Sequence, residues 1–192
     1  MDPLYLFVFA GLFTPGPNVI LLTASGARFG FRRTVPHILG VAAGVGVTSA
    51  LTALGVGALL LAAPGLTLAL KLVAAGWILW MAWRLLRAGR AEAGDAERPF
   101  TVVEAILFQW VNPKVWIVAM AAASGYPSDL APLAEAGRIG SAFAGINLGV
   151  CLFWTTAGTL LALILRRPAA WTAFRAAMAA ALAASALMVF AA

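Results

Sequence analysis

The sequence predicts an all-α integral membrane protein with six transmembrane helices, arranged as two inverted three-helix repeats in which helices one and four are broken. Three observations predict it. The chain is 63% hydrophobic and 10% charged, with a mean hydropathy of +0.97, whereas soluble domains carry roughly 25% charged residues. Six apolar runs are each long enough to cross hydrocarbon, which takes roughly 20 residues at 1.5 Å rise per residue. Two of those runs, one in each half of the chain, are interrupted near their midpoints by polar, proline-bearing breaks.

The first run, about 3–25, is broken by Thr14-Pro15-Gly16-Pro17-Asn18. It lacks a basic leading region and an A-x-A-like cleavage site, so a retained span is expected rather than a removable signal peptide. The second, about 36–63, opens at Pro36, where a missing N–H costs little; its length predicts one tilted helix with projecting ends. The third, about 66–87, follows Pro64 and carries Trp77, Trp80 and Trp83, a lipid-facing or packing stripe. A hydrophilic linker over 88–102 then separates a first repeat (3–87) from a second (103–190). The fourth run, about 103–123, opens with Glu104, which suits a helix N-terminus, and is broken by Gln109-Trp110-Val111-Asn112-Pro113-Lys114. The fifth, about 138–165, is again long and contains Asn147. The sixth, about 169–190, follows Pro168 and is rich in alanine.

Basic residues orient these spans. Arg28, Arg32 and Arg33 follow span one, Arg84, Arg87, Arg90 and Arg98 follow span three, and Arg166, Arg167 and Arg175 follow span five. With six spans all ten fall on one side, opposed by Arg138 with Lys71. The positive-inside rule makes that side cytoplasmic and puts both termini on the outer, periplasmic side. Three spans per half then force the halves into opposite orientations. The matching order of broken, long and ordinary span favours an inverted repeat.

In hydrocarbon an unpaired backbone group costs several kcal/mol, so irregular backbone persists only inside protein or beside a watery cavity. Paired broken spans are the usual sequence pointer to a transporter's substrate site. Pro15 and Pro17 are expected to free the carbonyls of Gly11 and Phe13, and Pro113 that of Gln109. Gly16 leaves backbone uncovered for close approach. The half-helices starting near Pro17 and Pro113 should aim their N-termini, each the positive end of a dipole, at mid-membrane, where they suit a carboxylate. Asn18 and Asn112 add neutral donors and acceptors, and the freed carbonyls suit an ammonium group. Lys114 lies about ten residues from either end of its span, roughly 15 Å deep. A charge there costs at least about 2.5–3.5 kcal/mol, which marks it as functional, either as a carboxylate ligand or as a group that sheds its proton. The expected substrate-binding set is Pro15, Gly16, Pro17, Asn18, Gln109, Asn112, Pro113, Lys114 and Asn147, with Lys114 and Glu104 as proton-coupling candidates.

Other features narrow the function class. A net charge of +6 is spread in short clusters between spans, which suits topology signals and anionic lipid of the bilayer, not nucleic acid. The single Cys151 allows neither an internal disulfide nor a cysteine metal cluster, and no cofactor is expected. The spans hold no paired carboxylates, and His37 reads as an interfacial histidine beside Arg32 and Arg33, so an enzyme is not expected. Gly40-x-x-x-Gly44 and the alanine-rich last span permit close packing within the chain or between copies, leaving a homo-oligomer open.

Phe13-Thr14-Pro15-Gly16-Pro17-Asn18, then Ala24-Ser25-Gly26-Ala27-Arg28-Phe29-Gly30 with Arg32-Arg33, resembles the LysE-type (lysine exporter) family of amino-acid efflux proteins. So do Pro36-His37-Ile38-Leu39-Gly40 and Asn112-Pro113-Lys114-Val115-Trp116. The resemblance covers essentially the whole chain. It implies export of small amino acids or related metabolites across a bacterial inner membrane, driven by the proton-motive force. Family members often carry an acidic residue a few positions after the glycine matching Gly40, and Val41 to Ser49 contains none. A neutral or apolar zwitterion therefore fits better than lysine. The competing class is a non-transporting membrane subunit that packs with a partner protein, which leaves Lys114 unexplained.

Overall fold

The computed structural model describes residues 2–89, 97–165 and 167–191, and among these the only regular structure is helix. Arg90, Arg166 and the middle of the 88–102 linker lie outside the described residues. The helices are α1 (Pro3–Phe13), α2 (Pro17–Phe29), α3 (Phe31–Ala53), α4 (Val56–Leu61), α5 (Pro64–Arg87), α6 (Val102–Trp110), α7 (Pro113–Gly125), α8 (Pro132–Ile164) and α9 (Pro168–Ala191). Four of them, α3, α5, α8 and α9, are long and apolar enough to cross a membrane. The pairs α1–α2 and α6–α7 each pass that test jointly, bent by 60° and 64°. Counting each bent pair as one crossing gives six.

Local chemistry sets the helix ends. Asp2 caps α1 by accepting a hydrogen bond from Leu4 N at 2.9 Å, with Pro3 in the first turn. Thr101 and Glu104 form a capping box at the start of α6. Prolines occupy the first turn of α2, α5, α7 and α8, where the absent N–H has no helical partner to lose. The second span departs from the single tilted helix expected over 36–63. Its helix starts earlier, at Phe31, placing Pro36 inside it, and it ends where Gly55 turns left-handed at φ 92. The short α4 follows. A left-handed residue cannot continue an α-helix, and glycine takes that conformation without a Cβ clash.

Small residues set the packing, as expected where lipid removes any hydrophobic drive between helices. Helices α3 and α8 cross antiparallel through glycine. A Cβ on Gly46 would lie 2.8 Å from the Ala144 Cβ, and one on Gly140 would lie 2.9 Å from the Ala50 Cβ. Helix α6 lies along α3 over Gly40 and Gly44; a Cβ on Gly44 would come within 2.7 Å of Gln109 Cγ. Gly26 and Gly158 bring α2 and α8 into backbone contact, since a Cβ on either would overlap the carbonyl of Thr155 or Thr23. One core cluster joins α1, α3, α7 and α8 around Leu12, Val41, Val45 and Phe143. A second joins α5 and α9 to Ile20 and Phe108 through Ile78 and Leu182. Leu72, Leu79, Leu160 and Leu163 remain exposed, as lipid-facing residues would.

The two ends differ in charge. At one, Arg28 pairs with Glu97, and Arg175 donates to the carbonyls of Ala88 and Leu86. Sequence positions after spans one, three and five therefore meet. At the other end Arg138 pairs with Glu135 at 2.7 Å and Asp2 at 3.4 Å. Trp80 and Trp83 are half exposed on α5 beneath the guanidinium groups of Arg84 and Arg87, while Trp77 packs on Phe108.

Candidate site at the paired helix breaks

Each break ends one half-helix and starts another on a proline. Thr14 closes α1, its N–H donating to Ala10 O at 3.3 Å and its hydroxyl to Gly11 O at 2.9 Å. Gly16 caps α2 in extended backbone. In the second break, Val111 N donates to Phe108 O and Asn112 N to Gln109 O, both at 3.2 Å. The carbonyls of Gly11 and Gln109 are therefore not free, contrary to the sequence expectation. A hydroxyl one turn later and a tightened last turn take them up, the usual repair at a helix end. Trp116 Nε1 donates to Trp110 O at 3.0 Å, stapling the second break from outside.

The breaks meet through amides. Asn18 Nδ2 donates to Gln109 Oε1 at 2.8 Å, and Gln109 Nε2 returns a bond to Asn18 Oδ1 at 3.2 Å. Gln109 Nε2 also donates to Ala105 O at 2.8 Å, and Asn112 Nδ2 to Gln109 Oε1 at 3.3 Å. Gln109 and Asn112 are 0% and 1% exposed, yet Asn112 Oδ1 has no partner among the described residues. A buried orphan acceptor costs about 1–3 kcal/mol. The spacing of the glycines on α3 makes this hub, because only Gly44 lets the Gln109 stem lie against that helix.

Lys114, the first residue after Pro113, crosses to the other break. Its ammonium donates to the Thr14 carbonyl and, at 2.8 Å, to Thr14 Oγ1. Its stem covers Gly16, where a Cβ would lie 2.7 Å from Lys114 Cδ. The charge predicted to meet a carboxylate is thus held by oxygens of the opposite break. Thr14 carries this contact, and its place in the Thr-Pro-Gly-Pro-Asn motif is the only sequence signal for it.

The remaining candidates are dispersed. Pro15 and Pro17 shape the first break and Pro113 the second. Asn147 is buried on α8 with Nδ2 unpartnered among the described residues, outside the hydrogen-bonded set. Glu104 sits at the far end of α6 and spends its carboxylate on Arg98, at 2.6 and 2.9 Å, and on Thr101. That bond pushes the Arg98 guanidinium pKa upward. His37 is buried rather than exposed: because α3 begins at Phe31, the ring lies a turn and a half inside that helix, 2% exposed and 5.0 Å from the Phe100 ring.

Two clefts lie along α5. One is mostly apolar and reaches the second break at Trp110, Val111 and Pro113, with Lys71 on its wall. The other opens at the basic end and is lined by residues from α2, α3, α5 and the 98–100 segment. Ile20, Ile78 and Phe108 belong to the packed cluster at the middle of α5.

Among the described residues, the two bent spans of this polytopic helical membrane protein meet through hydrogen-bonded amides, the arrangement expected of a translocator. Residues 9–192 match the LysE type translocator family, and the chain belongs to it. Among curated proteins it is 29% identical over 113 residues to a cysteine/O-acetylserine efflux protein of Salmonella typhimurium, covering 59% of this chain and 58% of that one. The protein of that name in Escherichia coli is 28% identical over the same shares. An uncharacterized membrane protein of Pseudomonas aeruginosa is 36% identical over 112 residues, covering 52% and 51%. The chain therefore spans under two thirds of the length of each of these relatives. No solved structure matches.

Proposed function

We propose that the protein is a secondary active exporter of small amino acids or related zwitterionic metabolites, driven by the proton-motive force, with its site between the two breaks. The observation that carries this reading is the convergence of Asn18, Gln109, Asn112 and Lys114 from two bent spans. Prolines that merely kinked packed helices would not need amides and a cation joining the two breaks. The efflux relatives supply the substrate class.

In this reading the α2 and α7 N-termini attract the substrate carboxylate, and the orphan Asn112 Oδ1 accepts from its ammonium. A bound carboxylate competes with Thr14 for Lys114, so binding loosens the tie between the breaks. Proton release from Lys114, rather than from the engaged Glu104, couples transport to the proton gradient. The halves 3–87 and 103–190 act as inverted repeats joined by a cytoplasmic linker. Antiparallel α3 and α8 and the gathering of Arg28, Arg98 and Arg175 at one end support this arrangement. The setting is a bacterial inner membrane, with both termini periplasmic and the basic end inside.

The test is counterflow in proteoliposomes across a panel of neutral amino acids, comparing wild type with Asn18→Ala, Asn112→Ala and Lys114→Met. At least a tenfold loss is expected in each variant. Flux that is unchanged in all three overturns the site, and collapse of the proton gradient without loss of net export overturns the coupling. Absence of flux from purified protein, with a stoichiometric partner co-purifying, favours the non-transporting subunit.

A further inference from the structure

We propose that the cleft at the basic end is a second binding site, one that holds the carboxylate of a small monocarboxylate or zwitterion on Arg28 and His37. It rests on the exporter reading only in taking amino acids as the natural carboxylates.

The cleft is lined by Ser25, Arg28, His37, Arg84 and Arg98. Two of these present buried polar atoms with no partner among the described residues. His37 is 2% exposed, and neither Nδ1 nor Nε2 is hydrogen-bonded. Arg28 Nε is likewise buried and unpartnered. The large majority of buried polar atoms are paired, and an exception needs a reason. Here three orphan nitrogens belong to two side chains, on α2 and α3, that line one cleft.

The charges around that cleft fix the sign of its ligand. Arg98 is engaged by Glu104, and Arg84 lies over the Trp80 ring. Arg28 is engaged through Nη2 by Glu97, whose side chain is 45% exposed. Among the described residues, three guanidinium groups against two carboxylates leave the cleft positive. A guanidinium binds a carboxylate through two parallel N–H bonds, and on Arg28 the Nε–Nη2 edge is only half used. Glu97 thus holds the position that a ligand carboxylate takes with both donors, and His37 supplies a further N–H from the cleft wall. Ligand and Glu97 compete for Arg28. The site lies apart from the amide hub, which is buried between the breaks.

His37 is the chain's one histidine, so its ring reports binding without assignment. Protein with isotope-labelled histidine, in phosphatidylcholine nanodiscs at fixed pH and ionic strength, is titrated with acetate, alanine and methylammonium chloride. Acetate and alanine should shift the ring resonances saturably, and methylammonium should not. Arg28→Gln should abolish the shift, and Glu97→Gln should lower the half-saturating concentration several-fold. Asn112→Ala should keep it. Protection of buried Cys151 from thiol reagents confirms that each variant is folded. No saturable shift with acetate, a shift retained in Arg28→Gln, an unchanged midpoint in Glu97→Gln, or loss of the shift in Asn112→Ala each overturns the proposal. A persistent shift in protein that shows no counterflow overturns the exporter reading and leaves the second site standing.

Discussion

Replacing Gln109 with leucine removes the hub of the amide cluster while nearly conserving volume. Four hydrogen bonds meet on this side chain, two of them exchanged with Asn18 at 2.8 and 3.2 Å. A typical bond contributes about 0.5–1.5 kcal/mol net, and a buried group left unpaired costs about 1–3 kcal/mol. Asn112 is 1% exposed and already carries an orphan Oδ1, so losing its Nδ2 acceptor falls at the costly end. Half-buried Asn18 falls lower. Interhelical hydrogen bonds in membranes average only about 0.6 kcal/mol, because the unfolded chain in lipid also finds partners. Gln109→Leu should therefore destabilise the protein by about 2–3 kcal/mol and Asn18→Ala by about 1 kcal/mol. The pair exchanges two bonds, so the double variant should fall short of the sum by about 1 kcal/mol. Unfolding in mixed micelles of graded denaturing detergent gives all three values in one double-mutant cycle. A coupling below about 0.3 kcal/mol, within the range over which independent sites simply add, would mean that the amides do not hold the breaks together.

Four further outcomes follow from named contacts. Gly158→Ala puts a methyl group on the Thr23 carbonyl, backbone that cannot swing aside, and should cost about 1–3 kcal/mol by overpacking; unchanged thermal stability would contradict the close α2–α8 approach. Glu104→Gln should cost no more than about 1 kcal/mol, because its pair with Arg98 is 42–55% exposed; a much larger loss in detergent unfolding would show a buried role. Cys151, 1% exposed, should resist maleimide in the folded protein and react fully once unfolded, and rapid labelling of the native state would place it wrongly. In a Cys151→Ser background, Arg33→Cys and Leu133→Cys should label from opposite sides of the membrane, the first only from inside; labelling from one side alone would break the six-crossing topology.

The sequence by itself determined the membrane class, the two breaks, the gathering of basic residues at one end and the family. Each of these is local. Hydropathy is a sum over neighbours, a proline removes its own N–H, and a charge marks the loop in which it stands. Helix starts at Pro17, Pro64, Pro113 and Pro168 were legible for the same reason. The end of α3 was not, because Gly55 sits in an unbroken apolar run that gives no sign of a left-handed residue.

Only the tertiary structure decided which side chains meet. Thr14 and Lys114 are 100 residues apart and Asn18 and Gln109 are 91 apart, distances over which no helical period carries information. Their contact depends on glycines at other positions, Gly16 beneath the lysine stem and Gly44 beneath the glutamine. Lys114 reaches across to Thr14 of the opposite break, and His37 is buried beside Phe100. Burial inside a helix bundle depends on which face each helix presents to its neighbours. In lipid, where every face is apolar, hydropathy cannot tell an inward face from an outward one, and only close packing can.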